Sequence, residues 1–504
     1  MGKTSTYTRR SFAGGMAAAA LGMAATCAFA DQPPEIPSGG AGGEPPDGMG
    51  DGMGGDPGAG GAGGMGDPGA GGAGGTGDPG AGGGAGGMGG DPGAGGMGGG
   101  FGGSGEITQG TAATTIDADG TVADETFTST GDDENALRVD AATVALENVT
   151  VNKNGGATSN TEDGDFYGMN AALLCTNGAQ VTIADSTVTS AAQNGNGIFS
   201  YGEGTVVTVS DTQITTTADN SGGIQTTGGG TTNASNLTVE TNGSSAAAIR
   251  SDRGGGTVRV DGGTYVSNGY NSPAVYSTAD IAVANATLTA NNSEALVIEG
   301  QNSIALTDCD VSGNMSDDKG SSSDENVHTV MIYQSMSGDA EVGSSHFEMT
   351  GGTLTSNNGD VVYVTNTHCT VELAGVQIEN LDEEGRLLLV SGNSASRGWG
   401  SAGANGGQVE LACTDQELEG DIEVDSISTL TLALEGASLF TGTVNVIENA
   451  WGGTAVADNA VVTVGEGATW VLTGDCSIST LENRGTVDFG PYRIDLADGT
   501  SLTA

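Results

Sequence analysis

Arg250, Asp252 and Glu299 are the side chains in this sequence whose types and spacing suggest chemistry. Two carboxyl groups about 6.5–9.5 Å apart can invert a glycosidic bond, one as acid and one as base. Asp252 and Glu299 form such a pair if the chain brings them about two strand spacings, near 10 Å, apart. A polyuronate lyase would instead need acids that hold Ca²⁺ and a basic residue to take the proton, a role open to Arg250 or Arg253. Phe199, Tyr201, Tyr276, Tyr333 and Tyr363 lie in the same part of the sequence, in a chain whose aromatic content is only 4%. Aromatic rings stack on sugar C–H faces, and sugar hydroxyls need polar partners. Phe199, Tyr201, Arg250, Tyr276, Tyr333 and Tyr363 are therefore the candidates for contact with a polysaccharide.

Several absences weigh against an enzyme. His328, His346 and His368 have no evident partner pattern, and neither Asn-Thr-Asp nor Gly-His-Gly of the polygalacturonase type occurs. With 63 acidic residues, some pair falls at catalytic spacing by chance. No CxxC or His pair has metal-ligand spacing, so no zinc site is expected. Asp132-Asp133-Glu134, Glu162-Asp163-Gly164-Asp165, Asp317-Asp318 and Asp382-Glu383-Glu384 match neither an EF-hand nor a nonapeptide array. They read as solvated turns, and no cofactor is expected, with loose Ca²⁺ association the one metal they suggest. The net charge of −50 argues against nucleic acid and anionic membrane as partners. Extracellular polysaccharide or glycan remains the partner class that fits; the sequence leaves the oligomeric state open.

The elements that must position these residues come from a repeated phrase. VTIADSTVTS (181–190), VTVSDTQITT (207–216) and IAVANATLTA (281–290) are three copies. The copies are anchored on Leu146, Ile183, Val209, Ala234, Val260, Val283, Leu306, Met349, Leu373 and Leu434. An apolar residue lies two before nine of these ten anchors, and another lies five after each. An i, i+2 pair is one face of a strand. Two residues after each anchor stand Asn148, Asp185, Asp211, Asn236, Gly262, Asn285, Asp308, Gly351, Gly375 and Gly436. Asn, Asp and Gly are the residues that most easily take left-handed backbone, so one turn is being remade in register. A further strand precedes each phrase, centred on Leu173, Ile198, Ile224, Ile249, Val275, Leu296, Val330, Val362 and Leu388. Three short strands and one turn per repeat describe a solenoid coil.

This pattern resembles the right-handed parallel β-helix family, whose pectate-lyase-like members share the three-strand coil and a stacked Asn turn. The resemblance covers residues 106–504. It implies an all-β, right-handed parallel β-helix solenoid of around 14 coils, roughly 65 Å long at one strand spacing per coil. Residues 468–490 resemble the end of pertactin-type autotransporter passengers. The expected organisation is an export signal at 1–30, a disordered Gly/Ala/Asp/Pro-rich linker at 31–105, the β-helix at 106–445, and terminal coils with a cap at 446–504. Insertions at 154–168, 315–326, 334–345 and 392–406 are expected as side loops.

The export signal has a basic start, a weakly apolar middle and Ala28-Phe29-Ala30 before Asp31. Thr8-Arg9-Arg10-Ser11-Phe12 resembles a twin-arginine signal, and Cys27 offers lipidation as the rival to cleavage after Ala30. The protein is thus expected outside the cell or on its surface, and no stretch approaches the apolar length of a membrane span. Five cysteines follow residue 30, and they are expected mostly as buried free thiols, with one bridge conceivable between Cys369 and Cys413. Within each coil, the residues flanking Ile198, Ile249 and Val275 should point outward. That forms a face carrying Phe199, Arg250, Tyr276 and Tyr363 beside Tyr201, Asp252, Glu299 and Tyr333. A loop or neighbouring segment lying over these aromatics is the competing expectation for this face; the reading favoured is an adhesin-like protein contacting glycan through it. A polysaccharide lyase or glycoside hydrolase and a purely structural surface spacer are the alternatives.

Overall fold

A computed structural model describes residues 107–316, 326–335 and 341–504. The export signal, Cys27 and the linker lie outside the described residues, as do Asp317-Asp318 and parts of the insertions at 315–326 and 334–345.

The described chain is a parallel β-helix. Each coil contributes one strand to a 16-stranded sheet, here sheet A, and two to a sheet that folds round a bend. That second sheet, sheet B, has 22 strands, and a 4-stranded sheet continues its second wall near the C-terminus. One coil runs Ile198–Tyr201 in sheet A, then Val206–Ser210 and Gln213–Thr216 in sheet B. In the next two coils the sheet B strands fuse into single bent strands, Gly230–Thr241 and Gly256–Ser267.

The predicted anchors stack on one another. Leu146 pairs with Ile183, Ile183 with Val209, Val209 with Ala234 and Ala234 with Val260. The column continues through Val283, Leu306, Met349 and Leu373. Cys413, which the spacing rule passed over, sits between Leu373 and Leu434. Stacking places identical side-chain roles one above another, so an apolar column becomes a continuous core.

All ten predicted turn residues have positive φ, from 47° at Asp211 to 73° at Gly262. Asp124 (59°) makes the same turn one coil before the series, and Asp415 (50°) fills its gap between Gly375 and Gly436. Side chains stitch neighbouring turns. Asn148 donates to Asp124 (2.6 Å), Asn236 to Asp211 (2.6 Å) and Asn285 to Asp261 (2.7 Å).

The sheets run across residues 445–446 without a break. Every strand pairing is parallel except the last, Ile494–Leu496 with Ser501–Leu502, which turns back and ends sheet A. Cys175, Cys309, Cys369, Cys413 and Cys476 are buried and free. Burial pushes the Cys175 and Cys413 thiols up to about 12 and Cys476 to about 11. No bridge joins Cys369 to Cys413. Cys369 pairs with Val409, while Cys413 pairs with Leu373. The two thiols are therefore offset by four residues along the strands, about 13 Å, beyond disulfide reach.

Candidate functional site

The outward columns exist as the alternation predicts. Leu174, Phe199, Gln225, Arg250, Tyr276, Val297, Met331 and Tyr363 stack in register along sheet A. They point away from the solenoid interior, and their apolar members form two clusters separate from the main core. They are not, however, an open groove. Phe199, Arg250, Tyr276, Tyr333 and Tyr363 are buried, Asp252 and Glu299 are fully so, and Tyr201 alone is half-buried. A second layer of chain roofs this face.

The first part of the roof is a helix, Thr161–Tyr167, inside the insertion at 154–168. At seven residues it is too short to be stable alone. Asn160 caps its start by accepting from the Glu162 N–H, and Glu162 and Asp163 suit the positive end of the helix dipole. Gly168 closes it in the left-handed conformation (φ 81°). A Cβ on Gly168 would meet Leu174 Cδ1 at 2.7 Å, so glycine also lets the chain descend onto the sheet.

Docking is polar. Arg250 reaches Asp165 Oδ1 at 3.2 Å and Asp252 Oδ2 at 2.9 Å. Asn194 donates to Asp165 (2.9 Å), while Gln225 and Thr227 donate to the helix carbonyls of Asp165 (2.9 Å) and Phe166 (2.6 Å). The Arg253 guanidinium lies 4.0 Å over the Phe166 ring, and Tyr167 meets Tyr201 edge-on at 5.7 Å. Burial draws the Arg250 guanidinium down, but the Asp165 and Asp252 carboxylates outweigh it, so its pKa is raised. Arg250 is thus held charged and cannot act as a base. Burial pushes Asp165 up against the opposing pull of Arg250.

The second part of the roof is the insertion at 392–406. Its Trp399 packs on Tyr333 (4.7 Å between rings) and Arg397 lies 4.8 Å over the Trp399 ring. Asn393 ties it to Thr365 (2.9 Å), and the Gly392 N–H donates to Asp425 (2.7 Å). Beneath it, Glu299 accepts from the Tyr276 and Tyr333 hydroxyls at 2.6 and 2.8 Å, with Ser335 adding further donors. Burial raises the Glu299 pKa against these hydrogen bonds. Asp252 and Glu299 belong to different clusters, one held by Arg250 and one by tyrosines. The structure does not bring them together around a shared open space.

The sequence carried a signal for this roof. Strands of sheet A such as LVIE (Leu296–Glu299) and HTVMIY (His328–Tyr333) are buried at every position. A strand covered on both faces reads as a continuous apolar run. By contrast QVTIA (Gln180–Ala184) and SIALT (Ser303–Thr307) alternate, as befits a sheet with one face in water.

The outer face of sheet B carries two open concavities. One trough of about 560 Å³ has Ala282, Ala284, Ala305 and Thr307 as its floor, between Asn233, Arg259 and Asp261 on one side and Glu348 on the other. Arg259, Ala282, Ala305 and Glu348 share one register column, so wall to wall is three strand spacings, about 14 Å. Arg259 is fixed by an ion pair with Asp280 and donates to the Asp280 carbonyl (2.8 Å). A second trough of about 460 Å³ lies on the same face, lined by Thr121, Thr143, Ala145, Gln180, Thr182 and Thr208 among others.

The acidic clusters shape turns. Asp132 and Asp133 accept from the Ala157 and Ser159 N–H groups (2.7 Å each), and Asp382 accepts from Gly359 (2.9 Å) and Glu384 (3.0 Å). Among the described residues no group of three His, Cys, Asp or Glu is arranged to hold a metal ion. Among the described residues no helix is long and apolar enough to cross a membrane. No family model, curated protein or solved structure matches the chain.

Proposed function

We propose that this is an exported, adhesin-like β-helix that contacts extracellular polysaccharide or host glycan through the outer face of sheet B. The observation that carries the reading is the asymmetry of the two faces. Sheet A spends its rings and charges on holding a roof, whereas sheet B leaves two troughs open along one face. Their floors are Ala, Gly and Thr, low enough for a sugar chain to lie against, and their walls offer carboxylate, amide, guanidinium and hydroxyl partners. Centres about four strands apart, roughly 20 Å, suit an extended polymer rather than a single small molecule. The likeness of residues 468–490 to autotransporter passenger ends, and the export signal at 1–30, belong to the same reading.

The alternative of a glycosidase or lyase on Arg250, Asp252 and Glu299 is weakened by the burial of all three beneath the roof. The test is co-sedimentation of the purified protein with insoluble pectic, algal, mucin and bacterial polymers. The reading expects depletion by at least one polymer, without release of reducing ends. Ala282→Ile with Ala305→Ile, which fills the trough while keeping strand propensity, should then weaken depletion. Retention of no polymer would leave a structural spacer as the better account. Reducing-end release would favour an enzyme.

A further inference from the structure

Of the three tryptophans, Trp399 and Trp470 are buried, while Trp451 is 45% exposed. Trp451 sits in a segment, residues 450–458, in which every residue is exposed. An indole left partly in water forgoes the gain of burial, so its display asks for a reason.

The turn beneath it is pinned. Asn449 accepts from the Trp451 N–H (3.1 Å) and donates to the Gly452 carbonyl (2.8 Å). The Val456 N–H donates to the Ser426 carbonyl (2.9 Å), and Asn459 to the Ser428 carbonyl (2.7 Å). Gly453 lies so close to the roof loop that a Cβ there would meet the Gly403 carbonyl at 2.2 Å. The indole is therefore held out on a braced support.

We infer that Trp451 is a stacking platform for one pyranose ring of a neutral glycan. The inference rests on the glycan-contacting part of the reading above, not on which face makes the contact, and names the ligand class. A pyranose has one flat C–H face that matches a single indole and leaves its hydroxyls in water. A protein partner would need a patch approaching 1,000 Å² in total, and the only other large apolar side chain exposed in this segment is Val456. Charge selects the sugar. Residues 447–460 carry Glu448 and Asp458 and no Lys or Arg, in a chain of net charge −50. A polyuronate or sulfated polymer would meet like charge there.

The test uses the whole protein and the intrinsic fluorescence of Trp451. Soluble β-glucan, galactomannan and chitin oligosaccharides are the neutral probes, and polygalacturonate is the anionic one. A neutral probe should shift the emission, and Trp451→Ala should abolish the shift and weaken retention by at least about tenfold, as for a central aromatic contact. Trp451→Tyr should restore part of the retention, and the unchanged melting of Trp451→Ala would show that the fold is intact. No shift with any neutral probe, equal retention by Trp451→Ala, or equal binding of polygalacturonate would overturn the inference. Retention lost in Ala282→Ile/Ala305→Ile but intact in Trp451→Ala would sink this inference and leave the sheet B reading standing. The reverse pattern would sink sheet B and support Trp451. Retention of no polymer by the unaltered protein would sink both.

Discussion

Arg250 shows how a residue type that suggests chemistry can serve architecture. One guanidinium faces two carboxylates in a water-poor seam, and its partner Asp165 lies 85 residues earlier on a separate piece of chain. Removing one member of a buried pair leaves the others desolvated and uncompensated, at a cost of about 3–5 kcal/mol. Arg250→Met should therefore release the helix Thr161–Tyr167, seen as new proteolytic cleavage within residues 154–168. Cleavage unchanged from the parent protein would mean that the apolar contacts of Phe166 suffice. His328 offers a second prediction. Its ring is buried, lies 5.3 Å from the Tyr363 ring, and neighbours Glu294, Asp360 and Arg397. Burial lowers its pKa, more than Glu294 and Asp360 raise it. The unfolded chain then takes up the proton first, near pH 6.5. The stability contributed is present above that pH and is lost as pH falls towards the lowered folded value. Denaturation of His328→Phe should show a shallower loss of stability as pH falls below about 6.5 than the parent protein. Parallel curves would refute the assignment.

At the scale of the element, the repeated turn is the unit that sets the register. Asn285 holds φ at 55° and donates to Asp261 on the coil before it. Left-handed backbone costs an ordinary residue about 1–2 kcal/mol. Asn285→Ala should lose that and the hydrogen bond, while Asn285→Gly should lose chiefly the hydrogen bond. Urea midpoints that place Gly no better than Ala would contradict the backbone argument. This turn was legible in the sequence because few residue types tolerate its geometry, so composition at one spacing betrays it. Asp124 obeys the same rule before the series begins, and Asp415 obeys it in the coil between Gly375 and Gly436. The roof was harder to read. Its docking partners are far apart in sequence, and the helix TEDGDFY has a central Gly and only seven residues, too little for a periodic signal. What local clues existed were the Asn160 cap, the Gly168 stop and the unbroken apolar runs of sheet A. The alternation of side chains was read correctly, but alternation shows which way a side chain points and not what lies above it. Phe199, Tyr276, Tyr333 and Tyr363 point outward as expected and meet protein instead of solvent.

For the whole solenoid, stacking divides labour between two faces. The middle of sheet A is covered by inserted segments that cross it, and sheet B keeps the alternating pattern of a face in water. A one-dimensional fold tolerates this, because each coil needs only its neighbours and can carry an insertion without disturbing distant coils. The same logic lets a long flat face repeat shallow troughs, a geometry suited to an extended ligand. A net charge of −50 keeps such a surface soluble and disfavours anionic polymers. The central claim is that the open face of sheet B, and not the roofed face of sheet A, meets the glycan. The most direct measurement is hydroxyl-radical footprinting of the protein with and without a polymer it retains. The account predicts protection at Arg259, Thr307 and Glu348, with Tyr276, Tyr333 and Tyr363 unreactive in both states. Reactive tyrosines that become protected, with sheet B unchanged, would contradict it and return the binding face to sheet A.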